Sequence, residues 1–219
     1  MKTRGFTLIE MIVVVTIIML LTSVGLFQYN KASQRSRDAD RQSNLSKVQA
    51  AIELYKQRNG RYPAGCNGAG VWSGQQGTMY ACPGGSTQYI VGLAPEFTPT
   101  LPADKKLNGN DSGYVYSVDA AGTVYKFEAK KTVEKANYDP GGVGVQTGDK
   151  YASCDVNDPA HPDGGMCVRV ASQGNNTPNW CQDYDATFQT SYAVWGGFAN
   201  SSSQVVVEQN TESIICAIQ

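Results

Sequence analysis

The sequence predicts an α+β protein: a long, hydrophobic N-terminal α-helix packed on an antiparallel β-sheet head, followed by a disulfide-stapled extension rich in loops and strands. Three observations carry this. An apolar run from Phe6 to Phe27 leads into a segment of helical periodicity, and the first proline is Pro63. Between Gly113 and Ala129, two stretches alternate aromatic and polar residues around a turn. The second half is crowded with Gly, Ser, Asn and Thr and holds four of the six cysteines.

The first element is the helix. The run from Phe6 to Phe27 reaches the roughly 20 residues that cross a bilayer. Glu10 is its one charge, and insertion scales put a carboxylate there at about 3 kcal/mol. A simple anchor has no use for that cost. An ordinary signal peptide has none either, and no A-x-A-like cleavage site follows the run. A partner exists if the chain is cut between Gly5 and Phe6. Glu10 then lies one helical turn from a new amino group, and its carboxylate can neutralise the Phe6 amine of a neighbouring copy. A buried charge is tolerated when it is paired.

Residues 28–59 continue the helix as an amphipathic half. Leu45, Val48, Ile52 and Tyr55 recur at spacings of three and four, which is one helical face. Asn59-Gly60 and the nearby Pro63 end it. One helix over 6–58 is roughly 80 Å long at 1.5 Å per residue. Gly25 interrupts the apolar run, either as a loosening point or as a place of close helix packing. Lys31, Arg35, Arg37 and Arg41, among Asp38 and Asp40, read as a solvated or inter-subunit charged face in preference to an anionic-lipid site.

The head follows over 60–136. Gly113–Asp119 and Thr123–Ala129 form a hairpin pattern with Asp119-Ala-Ala-Gly122 as its turn. Tyr114, Tyr116 and Val118 share one face of the first strand, and Tyr125 and Phe127 share one face of the second. Asp139 to Gly148 reads as a linker or wide loop opening the extension, 137–219. Strands are expected at Cys167–Ala171, Gln204–Glu208 and Ile214–Ile218. Tyr192–Phe198, aromatic and Gly-rich, is read as core in preference to a ligand face.

Composition narrows the function. The 219 residues are 41% apolar, enough to bury a core. A net charge of −1 argues against a dedicated nucleic-acid binder. A single histidine, His161, leaves little room for histidine metal sites or a Ser-His-Asp triad. No G-x-S-x-G, Walker loop or H-E-x-x-H occurs, so the chain is not read as an enzyme. Cys66, Cys82, Cys154, Cys167, Cys181 and Cys216 contain no C-x-x-C. An even count in a loop-rich region suggests disulfides and an oxidising compartment. Six cysteines allow 15 pairings; sequence neighbours are preferred, Cys66 with Cys82, Cys154 with Cys167 and Cys181 with Cys216. No cofactor is expected. Asp155, Asn157, Asp158 and Asp163 are oxygen ligands close in sequence, so calcium is held as an alternative to a polar, disulfide-closed loop.

Gly5-Phe6-Thr7-Leu8-Ile9-Glu10, behind a short basic leader and ahead of an apolar helix, resembles the class III signal of type IV pilins and type II secretion pseudopilins. The resemblance implies a pilin fold, with 1–5 as a cleaved leader and 6–27 as the transmembrane and filament-core half of the helix. It implies a prepilin peptidase that cuts after Gly5 and N-methylates Phe6, and a guiding role for Glu10 in assembling a helical homo-oligomeric filament on a pilus or secretion platform. Leu54–Pro63, ending Asn-Gly-x-Tyr-Pro, is similar to the major pseudopilin, and Leu101-Pro102-Ala103-Asp104 looks like the family's entry to its sheet. The family often has a proline where this chain has Phe27. A Cys181–Cys216 bridge would resemble the C-terminal disulfide loop of many pilins. The resemblance covers roughly 1–136. It implies a precursor in the cytoplasmic membrane with its C-terminus outside, and a surface filament once assembled. A pilin is the expectation, with a pseudopilin and a membrane-tethered binding domain that never polymerises as the competitors.

Overall fold

A computed structural model describes residues 6–146 (for 24–27 the backbone alone), 149, 151 and 189–197, together with the backbone of three strands within 167–169, 204–209 and 212–217. Its first element, α1, is a single helix of 52 residues from Leu8 to Asn59, continuous through Gly25. Thr7 caps its start in extended conformation. The stop is the one expected: Gly60 takes φ 76°, a left-handed conformation that glycine adopts without a Cβ penalty, and its N–H donates to Lys56 O at 2.8 Å. Lys56 and Arg58 in the last turn lie where cations suit the helix dipole.

The four-stranded antiparallel sheet runs in the order β1 (Ser73–Gly74), β2 (Gly113–Val118), β3 (Val124–Lys130) and β5 (Tyr192–Gly197). The β2–β3 hairpin aligns Tyr114 with Ala129, Tyr116 with Phe127 and Val118 with Tyr125, so the face anticipated from alternation is continuous across both strands. Its turn is held by Asp119, whose Oδ1 accepts from the N–H groups of Thr123 and Val124 at 2.6 and 2.8 Å. Against this face α1 lays Leu45, Val48, Ala51 and Ile52, all buried, with Tyr55 half-buried beside Phe97. Leu45, Val48 and Ile52 each contribute about 1.5–3 kcal/mol when fully withdrawn from water. Aromatic rings fill the remainder: Tyr114 and Tyr89 stack on Phe127 with centroids 5.6 and 6.4 Å away, and Tyr62 meets Tyr125 edge-on at 4.5 Å.

Tyr192–Gly197 is core, not a ligand face. It pairs with β3, aligning Val194 with Phe127 and Gly196 with Tyr125, and Tyr192, Ala193 and Val194 are buried. Its glycine is required by close approach: a Cβ on Gly196 would stand 2.8 Å from Glu53 Oε1 and from the Tyr125 ring. The head sheet therefore draws its edge strand from the cysteine-containing extension.

Between α1 and β2 the chain is mostly irregular, with a short 3-10 turn at Pro83–Gly85. Cys66 and Cys82 are joined by a disulfide, Cα–Cα 5.6 Å, which ties the start of this loop to its middle. A short helix, α2 (Lys135–Tyr138), follows the hairpin. The extension also forms a second antiparallel sheet, order β4 (Cys167–Arg169), β7 (Glu212–Ala217), β6 (Gln204–Gln209), whose register sets Cys167 opposite Cys216. Cys154, Cys181, His161 and the calcium candidates Asp155, Asn157, Asp158 and Asp163 lie outside the described residues, as does Gly5.

Candidate assembly site

The site begins where the helix does. Phe6 is 86% exposed, and every side chain from Phe6 to Ser23 faces outward. This part of α1 is long and apolar enough to cross a membrane, and none of its most apolar stretch is covered by the protein's own head. Such a surface requires lipid or other apolar partners, since leaving it in water costs about 25 cal/mol per Å².

Glu10 sits in the first turn of α1. Its Oε2 accepts from the Thr7 N–H and the Thr7 hydroxyl, both at 2.8 Å, while Thr7 Oγ1 accepts from the Glu10 N–H at 3.3 Å. Thr7-x-x-Glu10 is thus a capping box, which satisfies backbone donors that have no partner within the helix. The sequence carried this signal plainly, a threonine followed three residues later by a glutamate before an apolar run. Reading Glu10 only as an intermolecular partner passed over it. The two uses are compatible, because a carboxylate accepts about four hydrogen bonds.

The second half of the site is the seat of α1 on the head. Asp38 and Arg41 are only 1% and 2% exposed, which corrects their reading as part of a solvated face. Arg41 donates through Nε and Nη2 to both oxygens of Asp104, at 2.6 and 3.2 Å, and through Nη1 to Asp38 Oδ1 at 2.6 Å. Asp38 in turn accepts from the Glu134 N–H at 3.0 Å and from the Tyr138 hydroxyl at 2.9 Å. Arg37 makes a two-pronged pair with Glu134, 2.7 and 2.8 Å, and Lys106 reaches the same carboxylate at 2.5 Å.

Electrostatics follow from this packing. Burial disfavours charge on Arg41, but Asp104 and Asp38 outweigh it and raise its pKa, so the guanidinium stays protonated. Burial likewise pushes Glu134 up, and hydrogen bonds from Arg37 and Lys106 overcome that, bringing it down to about 2. At the far end of α1, Tyr62 is raised by burial and by Glu53, whose carboxylate accepts from the Tyr62 and Tyr125 hydroxyls at 3.1 and 3.2 Å. The helix is therefore pinned at both ends of its amphipathic half and free along its apolar half.

No cluster of three or more metal-ligating side chains occurs among the described residues. The arrangement is an exposed apolar rod, capped by Thr7 and Glu10 and continuous with the helix packed on a head that carries the Cys66–Cys82 disulfide. Such an arrangement is consistent with a membrane-anchored precursor that carries a globular head. Residues 1–26 match the family described as the prokaryotic N-terminal methylation motif. The chain carries the class III signal motif of type IV pilins, which supports its placement with pilins and pseudopilins. No curated protein and no solved structure matches it.

Proposed function

We propose that this chain is the structural subunit of a type IV pilus-like filament. The precursor sits in the cytoplasmic membrane by α1 with its head outside. A prepilin peptidase cuts between Gly5 and Phe6 and methylates the Phe6 amine. The apolar rods then leave lipid and bundle into the core of a helical fibre, so apolar surface stays out of water throughout. Glu10 meets the Phe6 amine of an adjacent copy and sets the register. The head faces outward for adhesion, motility, DNA uptake or secretion, and the chain is the substrate of an enzyme rather than one itself. The platform that assembles it is a pilus or secretion machine.

The observation that supports this most directly is the joint presence of the methylation motif and an uncovered apolar half-helix whose one charge is Glu10. A pseudopilin of a type II secretion system is the second reading, favoured by the Leu54–Pro63 segment. The cysteine-bearing extension favours the pilin. Mass spectrometry of the protein from cells with an active peptidase is expected to find a chain that begins at methylated Phe6, and electron microscopy of sheared surface material is expected to find fibres containing it. An intact N-terminus refutes processing. Loss of exoprotein export on deletion, without surface fibres, selects the pseudopilin. A processed chain that remains solitary in the bilayer selects a tethered binding domain.

A further inference from the structure

A cleft of about 270 Å³ opens between α1 and the loop Ala103–Lys105. Its floor is the buried pair Arg41 and Tyr114. The Tyr114 hydroxyl accepts from Asn44 Nδ2 at 3.1 Å, and its proton has no acceptor among the described residues. Four cationic side chains line the cleft against two carboxylates, Asp40 and Asp104. Arg37 and Arg41 are engaged by Glu134, Asp38 and Asp104. Lys47 and Lys105 are not: both are exposed at the rim, and neither has an ion pair or hydrogen bond among the described residues. The volume far exceeds the roughly 30 Å³ share of one water, so the cleft admits side chains and not only an ion.

The chain itself holds a complement. Residues 151–219 contain seven Asp and Glu, one arginine (Arg169) and no lysine, whereas residues 6–150, the part that remains once the leader is cut, contain 15 Lys and Arg against 12 Asp and Glu. The near-balanced charge of the whole sequence therefore conceals a mildly basic body and an acidic tail section. Opposed patches of this kind steer and orient association between copies.

We infer that the Lys47–Lys105 cleft receives carboxylates from the acidic extension of a neighbouring copy, as a head-to-head contact along the filament. This rests on the filament reading above. Lys47 and Lys105 flank the incoming acids, and the Tyr114 hydroxyl donates to one of them. Because the cleft opens beside the pinned half of α1, the contact fixes the rotation of one head against the next, while the apolar rods fix the axial packing.

Charge reversal in the full-length chain tests this. Lys47→Glu with Lys105→Glu is expected to lower the yield of sheared fibres about tenfold, as like charges meet across the contact. Both lysines are exposed, so the precursor should still be processed and its Cys66–Cys82 bridge should still form; these two readouts report folding. A second variant, Asp155→Lys with Asp158→Lys and Asp163→Lys, is expected to lose fibres alone and to restore them when co-expressed with the first, since the two chains can alternate. Wild-type yield from the lysine variant overturns the inference and leaves the filament reading intact. Rescue only when both sets of changes share one chain assigns the cleft to its own extension and also overturns it. Absence of fibres from the wild-type chain overturns the filament reading and this contact together.

Discussion

Arg41, in the middle of α1, grips both carboxylate oxygens of Asp104, 63 residues further along the chain, at 2.6 and 3.2 Å. The pair is almost wholly shielded from water, with side-chain exposures of 3% and 6%. It is the electrostatic half of the seat whose apolar half is Leu45, Val48 and Ile52.

Arg41→Ala is therefore expected to destabilise the head by about 3–5 kcal/mol, because it leaves Asp104 and Asp38 buried without their cation. Thermal unfolding of the detergent-solubilised full chain, followed by near-ultraviolet dichroism of the tyrosines, reads this without interference from the apolar helix. Arg35→Ala is the control: Arg35 is exposed and, among the described residues, meets the Tyr138 carbonyl at 3.4 Å and its ring, so a change within about 0.5 kcal/mol is expected. Equal melting of the two variants would refute the role of Arg41.

Glu134 makes the same seat sensitive to acid. Its carboxyl is held at about 2, below the ordinary 4.5, so the folded head binds this proton less readily than the unfolded chain. Stability from Glu134 is complete above pH 4.5 and is lost as pH falls from there towards about 2. Tyrosine fluorescence during acid titration is expected to show unfolding within that window. Glu134→Gln should be less stable at neutral pH and should flatten that part of the profile; an unchanged acid limb would count against it.

The helix and its stop were legible because their signals are local. The spacing Leu45–Val48–Ile52, the Asn59-Gly60 terminus and the Asp119–Gly122 turn each lie within a dozen residues. The burial of Asp38 and Arg41 was not legible, since a charge pair three residues apart looks the same in sequence whether solvated or enclosed. What encloses it is Asp104 and Glu134, the latter 93 residues from Arg41. The position of β5 beside β3 was hidden for the same reason: the glycines in Tyr192–Phe198 announce close approach without naming the neighbour, here Tyr125 and Glu53.

The cysteines of the extension allow a further test. Sequence proximity pairs Cys167 with Cys154 and Cys216 with Cys181, whereas the β4–β7 register sets Cys167 opposite Cys216. Directly opposed residues in an antiparallel pair have Cα atoms about 4.5–5.5 Å apart, within the about 4.4–6.8 Å that a disulfide spans. Peptide mapping without reduction is expected to recover a Cys167–Cys216 linkage, leaving Cys154 for Cys181. A Cys181–Cys216 linkage would mean that this register is not the native one.

Two roles converge on Glu10, and substitution separates them. The capping box needs an acceptor at this position, which glutamine also supplies. Neutralising the Phe6 amine of a neighbour needs the negative charge. Glu10→Gln is thus expected to insert in the membrane, to be processed, and to yield no fibres, and the same is expected of Glu10→Ala. Thr7→Ala removes the cap at a cost of about 1 kcal/mol yet leaves the charge, so fibres are expected to persist. Immunoblots of membrane and sheared fractions distinguish the outcomes. Fibres from Glu10→Gln together with none from Thr7→Ala would reduce Glu10 to a helix cap and remove its place in assembly.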